Sequence, residues 1–215
     1  MSNQPDEVAE SAPAPAEQSA LADRIESSPR SRIRRHPERR VPERTEEILR
    51  TGKVAHIAFV VDDQPYILPC TYDYHEGIVY AHAAVVSRLA RSLRKGIPVA
   101  IEVTLLDGLV ASRAASSHSM NYRSVVVFGR AQIVSDLAEK SAIFERMTVR
   151  YFPNRTLGRD YQHATTAQLR GVEMFAIPIE EASAKARSGP PLGPHDADPD
   201  APGSAFVTPL PGLDM

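Results

Sequence analysis

The chain has 215 residues, 42% apolar and 24% charged, the balance of one ordinary globular domain with tails. Its net charge of -2 gives no global attraction to nucleic acid, and a single cysteine, Cys70, excludes a disulfide framework or a cysteine metal site. No apolar run approaches the ~18 residues of a membrane span, and the opening MSNQPDEVAE lacks the basic and apolar regions of a secretion signal, so a cytoplasmic protein away from membranes is expected.

Residues 1–29 are rich in Ala, Pro, Ser and acidic side chains and carry no apolar periodicity, which predicts a disordered tail. The folded body is expected over 30–183. From 184 to 215 the chain reads as a second disordered tail, dominated by SGPPLGPHDADPDAPGS, although AFVTPLPGLDM adds a few apolar residues. The body opens on six arginines between 30 and 40, offset by Glu38 and the acidic residues that follow, and read as a solvated arm rather than a nucleic-acid site.

VPERTEEILRTGK predicts a short helix, with Pro42 in its first turn and Gly52 at its C-terminal stop. An apolar, β-branched run over 54–61, a turn at DDQP, a strand over 66–74, a turn at HEG and a strand over 78–83 predict an antiparallel meander. Ser87 suits the N-cap of a helix that stops at Gly96. Two longer strands, 98–106 and 122–134, flank a Ser/Ala-rich stretch expected to be a loop. Asp136 with Glu139, and Thr165 with Gln168, offer capping boxes for two further helices, and a last strand covers 173–179. Strands outnumber helices with no βαβ alternation, so a mainly β protein is expected: a small antiparallel barrel with peripheral helices.

No dinucleotide fingerprint, P-loop, HExxH, CxxC or GxSxG is present, and the seven histidines show no metal-ligand spacing, so no metal site is expected. One arrangement suits phosphate: the strand ending Tyr80-Ala81-His82 leads into a helix opening on Ser87 and Arg88, where first-turn N–H groups, a hydroxyl and a guanidinium converge. An ordinary capped helix with a solvated arginine is the alternative. Pro69 interrupts an apolar strand and implies an edge or bulge, leaving the backbone around Cys70, Thr71 and Tyr72 free for a ligand or merely blunting the edge. Tyr122, Arg123 and Ser124 stand at a strand mouth that either lines a site or closes an edge. His56 is read as structural, and the phosphate signal nearby raises His82 as a functional candidate.

The order of these strings is itself informative. R-R-x-P-x-R, a helix ending L-R-T-G, A-H-I-A-F-V, P-Y-I-L-P-C-T-Y-D-Y, I-V-Y-A-H-A-A-V-V-S-R-L and Y-R-S-V-V-V-F-G-R-A together resemble the pyridoxamine 5′-phosphate oxidase-like flavoproteins, and within them the nitroimidazole-reductase branch. The resemblance covers about 30–180. It implies a six-stranded antiparallel split β-barrel and a homodimer with FMN at its interface. It implies a flavin phosphate near Ser87 and Arg88, the isoalloxazine alongside Pro69, Cys70, Thr71 and Tyr72, His82 beside flavin and substrate, and Tyr122, Arg123 and Ser124 bordering the pocket. Relatives carry Gly-Arg-Lys where this chain has Ser87-Arg88-Leu89, one charge fewer at the phosphate. The implied activity is electron transfer from NAD(P)H to a small organic acceptor, a nitro-aromatic or quinone, with His82 as proton donor. Relatives on the same barrel bind F420 or haem, so both are alternative cofactors, and a non-enzymatic flavin-binding protein is the alternative role.

Overall fold

Two aspartates set the first hairpin. Asp62 and Asp63 both take positive φ, 50° and 60°, the backbone of a two-residue type I′ turn. They join β1 (Ala55–Val61) to β2 (Gln64–Cys70) in unbroken antiparallel register from Val61 opposite Gln64 to Ala55 opposite Cys70. A second such turn, at Glu76 and Gly77, joins β3 (Tyr72–His75) to β4 (Ile78–Ala84). These coordinates come from a computed structural model, which describes Leu21 and residues 28–210; most of the expected N-terminal tail lies outside the described residues.

The remaining elements are α1 (Thr45–Thr51), α2 (Arg88–Leu93), β5 (Pro98–Ala111), β6 (Ser119–Arg130), β7 (Gln132–Val134), α3 (Leu137–Tyr151), α4 (Thr166–Gly171), β8 (Val172–Pro178), β9 (Glu181–Arg187) and β10 (Phe206–Pro209). Strands β2-β1-β5-β6-β9 lie side by side, with β10 added to the far half of β5; β3-β4-β8-β7 form a second sheet. Every ladder is antiparallel. The expected split-barrel class is therefore present, built of one six-stranded and one four-stranded sheet. The strand count exceeds six because the run over 66–74 changes sheet at Thr71, the run over 122–134 changes sheet at Ala131, and β9 and β10 follow the last expected strand. Among the described residues no helix is long and apolar enough to cross a membrane.

Side-chain alternation divides the faces. Ile57 and Phe59 of β1, Ile101 and Val103 of β5, and Val125 and Val127 of β6 point inward and meet Tyr72, Val79, Ala81, Phe175 and Ile177 of the second sheet in one core. The opposite face of the second sheet presents Tyr80 and Met174 to Ile143 and Met147 of α3. Among the described residues no helix joins a hydrophobic cluster on the outward face of the six-stranded sheet.

Two expectations change. The stretch from 107 to 121 is strand rather than loop for most of its length, because β10 and β6 pair with both edges of β5 there. The segment 184–210 is not a free tail. β9 continues to Arg187, and the chain beyond is fastened along the β5–β6 hairpin. Asp196 accepts from Ser112 Oγ (3.1 Å), Arg113 N (2.8 Å) and Gly193 N (2.6 Å), and the Arg113 guanidinium donates to Ala201 O (2.7 Å) and Asp198 O (3.0 Å). Backbone carbonyls supplied by a Pro/Gly-rich chain are acceptors that composition does not reveal.

Gly52 stands where α1 ends, but not for left-handed freedom, since its φ is -58°. A Cβ there would lie 2.2 Å from Val103 Cγ1 and 2.9 Å from the Tyr72 hydroxyl. The glycine is required by close approach of the helix end to β5 and β3. Gly52→Ala should cost about 1–3 kcal/mol by overpacking, read as a lower urea midpoint with an unchanged slope.

Candidate functional site

The helix cap at Ser87 forms as the sequence suggests. Ser87 takes extended backbone angles and its Oγ accepts from Ala90 N at 3.1 Å, which leaves the hydroxyl proton to donate. Arg88, the first residue of α2, is exposed and lays its guanidinium 4.4 Å over the Tyr66 ring, itself stacked on Phe59 at 5.5 Å. Among the described residues Arg88 makes no ion pair. Its charge faces outward with a flat apolar support beneath it.

Tyr66 also lines a groove of about 450 Å³ at the turn end of the six-stranded sheet, floored by Ala58, Val60, Ala100 and Phe128 and closed on one side by Arg30. Farther along the outward face, cross-strand partners bring together a polar cluster. Pro69 sits opposite His56, and His56 opposite Glu102. His56 Nδ1 lies 3.4 Å from Glu102 Oε2, Thr104 Oγ1 donates to the same carboxylate, and Ser124 is the β6 partner of Thr104. Past it the face turns apolar again: Leu106, Leu109, Met120 and Phe206 are between 41% and 52% exposed. Sequence reading left His56 as structural and passed over Glu102. The available signal was alternation, since in AHIAFV the histidine shares its parity with the outward Ala58 and Val60.

The other expected site residues are placed apart from one another. Pro69, Tyr122 and Ser124 belong to this outward face, and Pro69 lies on the edge strand, as its missing donor suggested. Cys70 turns inward, and burial pushes its thiol up to about 11, which keeps it protonated and unreactive at neutral pH. Thr71 is exposed at the crossing between sheets. Tyr72 is fully buried, its hydroxyl donating to Leu49 O at 2.6 Å and its amide to the Tyr151 hydroxyl at 2.9 Å. Arg123 is already satisfied. It grips Asp107 through Nε (3.0 Å) and Nη2 (2.6 Å) and reaches Glu47 through Nη1 (2.6 Å), so hydrogen bonding to Asp107 above all holds its pKa well above the usual guanidinium value.

His82 lies under α3 rather than on the outward face. Its ring meets Phe144 edge-on at 5.1 Å, its β8 partner is Met174, and its Nδ1 is buried without a hydrogen-bond partner. Burial lowers its pKa below the ordinary value of 6.5, so the imidazole is neutral near pH 7. A pKa depressed on folding makes the unfolded chain the better proton acceptor. The contribution is fully present above the ordinary value and is lost as pH falls through it. Stability should therefore drop as pH is lowered below 6.5, and the His82→Leu variant should lose that part of the pH dependence, checked by urea midpoints from pH 5 to 8.

A family model described as pyridoxamine 5′-phosphate oxidase matches residues 42–186. No curated protein matches the sequence. The chain is similar to the flavocytochrome Anf3 from Azotobacter vinelandii (28% identity, TM-score 0.75, 86% of this chain and 85% of that one). It is similar to an FAD and heme binding protein from Mycobacterium smegmatis (30% identity, TM-score 0.70, 78% of this chain and 81% of that one). A chain described as a 5-nitroimidazole antibiotic resistance protein from Bacteroides thetaiotaomicron (19% identity, TM-score 0.56, 67% of this chain and 82% of that one) shares the fold alone.

Proposed function

The chain belongs to the pyridoxamine 5′-phosphate oxidase family, and from that premise we propose that it is a flavin-dependent oxidoreductase acting on a small organic acceptor. The observation that carries this reading is Arg88, a guanidinium without an anionic partner among the described residues, set on Tyr66 beside a capping serine. A phosphate accepting from Arg88 and Ser87 would satisfy both donors. FMN is the cofactor first expected; the FAD bound by the relative with 30% identity makes the dinucleotide an equal candidate. When bound, the flavin supplies hydride acceptance from NAD(P)H and electron delivery to a nitro-aromatic or quinone. The chain holds the phosphate, lays the backbone of 69–72 beside the ring, and offers His56, held by Glu102, or His82 as a proton-exchanging group. The exposed apolar stretch at Leu106, Leu109, Met120 and Phe206 supports a homodimer closing over the outward face.

A second reading adds haem. The buried, neutral His82 with an unpartnered Nδ1 has a lone pair to give. The Mycobacterium smegmatis protein similar to this chain at 30% identity binds FAD and heme. The visible spectrum of purified protein, repeated after adding FMN, FAD, F420 and haem separately, separates the readings. Paired flavin bands are the expected result. An added Soret band that disappears in His82→Ala would support haem ligation, and no binding of any pigment would overturn both.

A further inference from the structure

Three outward positions form a row across the six-stranded sheet: Pro69 on β2, His56 on β1 and Glu102 on β5. The next outward positions on β1 and β5 are Ala58 and Ala100, which floor the groove together with Val60 and Phe128. The polar row therefore borders the groove on the side away from the turn. Thr104 Oγ1 donates to Glu102, and Glu102 Oε2 lies 3.4 Å from His56 Nδ1. A carboxylate beside Nδ1 keeps the imidazole proton there and leaves Nε2 for a ligand. His82, buried under α3, faces neither the groove nor this row.

The charges at this end of the sheet are one-sided. Among the described residues Glu102 has no lysine or arginine partner. Arg30, the charged residue that lines the groove, is paired with Glu180 and Glu181. The site thus offers an apolar bed, an unneutralised carboxylate at its border and no free cation. An anionic ligand would be desolvated without compensation and repelled by Glu102, a penalty that an uncharged flat ring does not meet.

We propose that the groove takes an uncharged, flat aromatic acceptor, that His56 gives it a proton through Nε2, and that Glu102 and Thr104 are positioning residues that hold the imidazole and turn anionic compounds away. For its electrons this assignment rests on the flavin reading; for its charge selection it does not. With a nitro-aromatic, a hydride from the reduced flavin and one proton from His56 give the nitroso compound and water. One N–O bond breaks, two O–H bonds form on the departing oxygen, the two hydride electrons reduce the nitro group, and solvent returns the proton to His56.

The test compares 4-nitrobenzyl alcohol with 4-nitrobenzoate, alike in size and different in charge. Binding is read on the full chain by saturation-transfer NMR, and turnover on the flavin-loaded chain with NADPH. The alcohol should bind at least about tenfold more tightly than the benzoate. Val60 is 54% exposed, so Val60→Trp fills the groove without entering the core and should weaken the alcohol by a similar factor. Glu102→Gln should narrow the difference between the two compounds to about threefold or less, a change that a merely structural carboxylate would not produce. His56→Ala should lower kcat by about 100-fold with KM within about twofold, and added imidazole should restore part of the rate. Equal binding of the two compounds, preference for the anion, or turnover unchanged in His56→Ala would overturn the proposal and leave the flavin reading standing. So would a second copy of the chain seated in the groove, seen as a dimer that weakens in Val60→Trp while neither compound binds. A chain that takes up no flavin yet prefers the alcohol, in a way that depends on Val60 and Glu102, would uphold the charge selection and remove the flavin reading.

Discussion

Arg88→Ala should lower flavin affinity about 10- to 100-fold while leaving the urea midpoint nearly unchanged. A hydrogen bond to a charged partner contributes about 1.5–3 kcal/mol, and each 1.4 kcal/mol is a decade of affinity. The stability half of the expectation follows from exposure, since Arg88 crosses no core and its one described contact is the Tyr66 face. Lysine at the same place keeps the charge and loses the planar fork, so Arg88→Lys should fall between the two. Arg123→Ala is the control. That guanidinium is committed to Asp107 and Glu47, so its loss should lower stability by roughly 1–2 kcal/mol after allowance for solvent screening, with flavin affinity held within about twofold. Equal loss of flavin in both variants would move the phosphate anchor away from α2.

Local signals were legible where neighbouring residues alone decide the conformation. The two turns with positive φ, the Ser87 cap and the Thr165–Gln168 capping box follow from short-range chemistry, and each stands where the sequence puts it. The breaks between sheets were not legible. Nothing in PYILPCTYDY shows that Thr71 leaves one sheet and Tyr72 enters another, because both halves alternate with the same period. The crossing is decided by partners far along the chain, such as the Tyr151 hydroxyl that holds the Tyr72 amide. The 184–210 segment misled for a related reason. Its composition argues against an independent core, and it forms none; Arg187 and Arg113 fasten it through backbone carbonyls instead.

The site was legible as a list of residues and illegible as a geometry. The family resemblance selected Ser87 and Arg88, whose pairing depends only on a strand-to-helix turn. It also selected Arg123, and no local feature warns that Asp107, on the neighbouring strand, and Glu47, on α1, already hold it. His82 and His56 show the same limit from opposite sides. Each is a lone histidine in a strand. Alternation puts His56 outward against Glu102 and puts His82 against Phe144 under α3, a distinction set by which face of each sheet a helix covers.

The end of α3 should prove the most sensitive structural point near the site. Arg150 Nη2 donates to Leu49 O at 2.7 Å and to Gly52 O at 2.5 Å, carbonyls at the C-terminal end of α1 that otherwise lack helical partners. The positive charge also opposes the negative end of the α1 dipole, and it lies 4.5 Å over the Tyr72 ring. Removing it leaves Leu49 O with the Tyr72 hydroxyl and strands Gly52 O. Arg150→Met should therefore cost about 2–4 kcal/mol, partly offset because the buried Nε, which has no partner, goes with it. Arg150→Lys should recover the dipole term but not the two-carbonyl bridge. The loss should reach the site as well, since the same joint fixes Tyr72, and with it the 69–72 backbone proposed to run beside the flavin. In Arg150→Met the flavin off-rate should rise under conditions where the protein is still fully folded. A lower urea midpoint with an unchanged off-rate would confine Arg150 to holding α1 and separate the stability of this corner from cofactor binding.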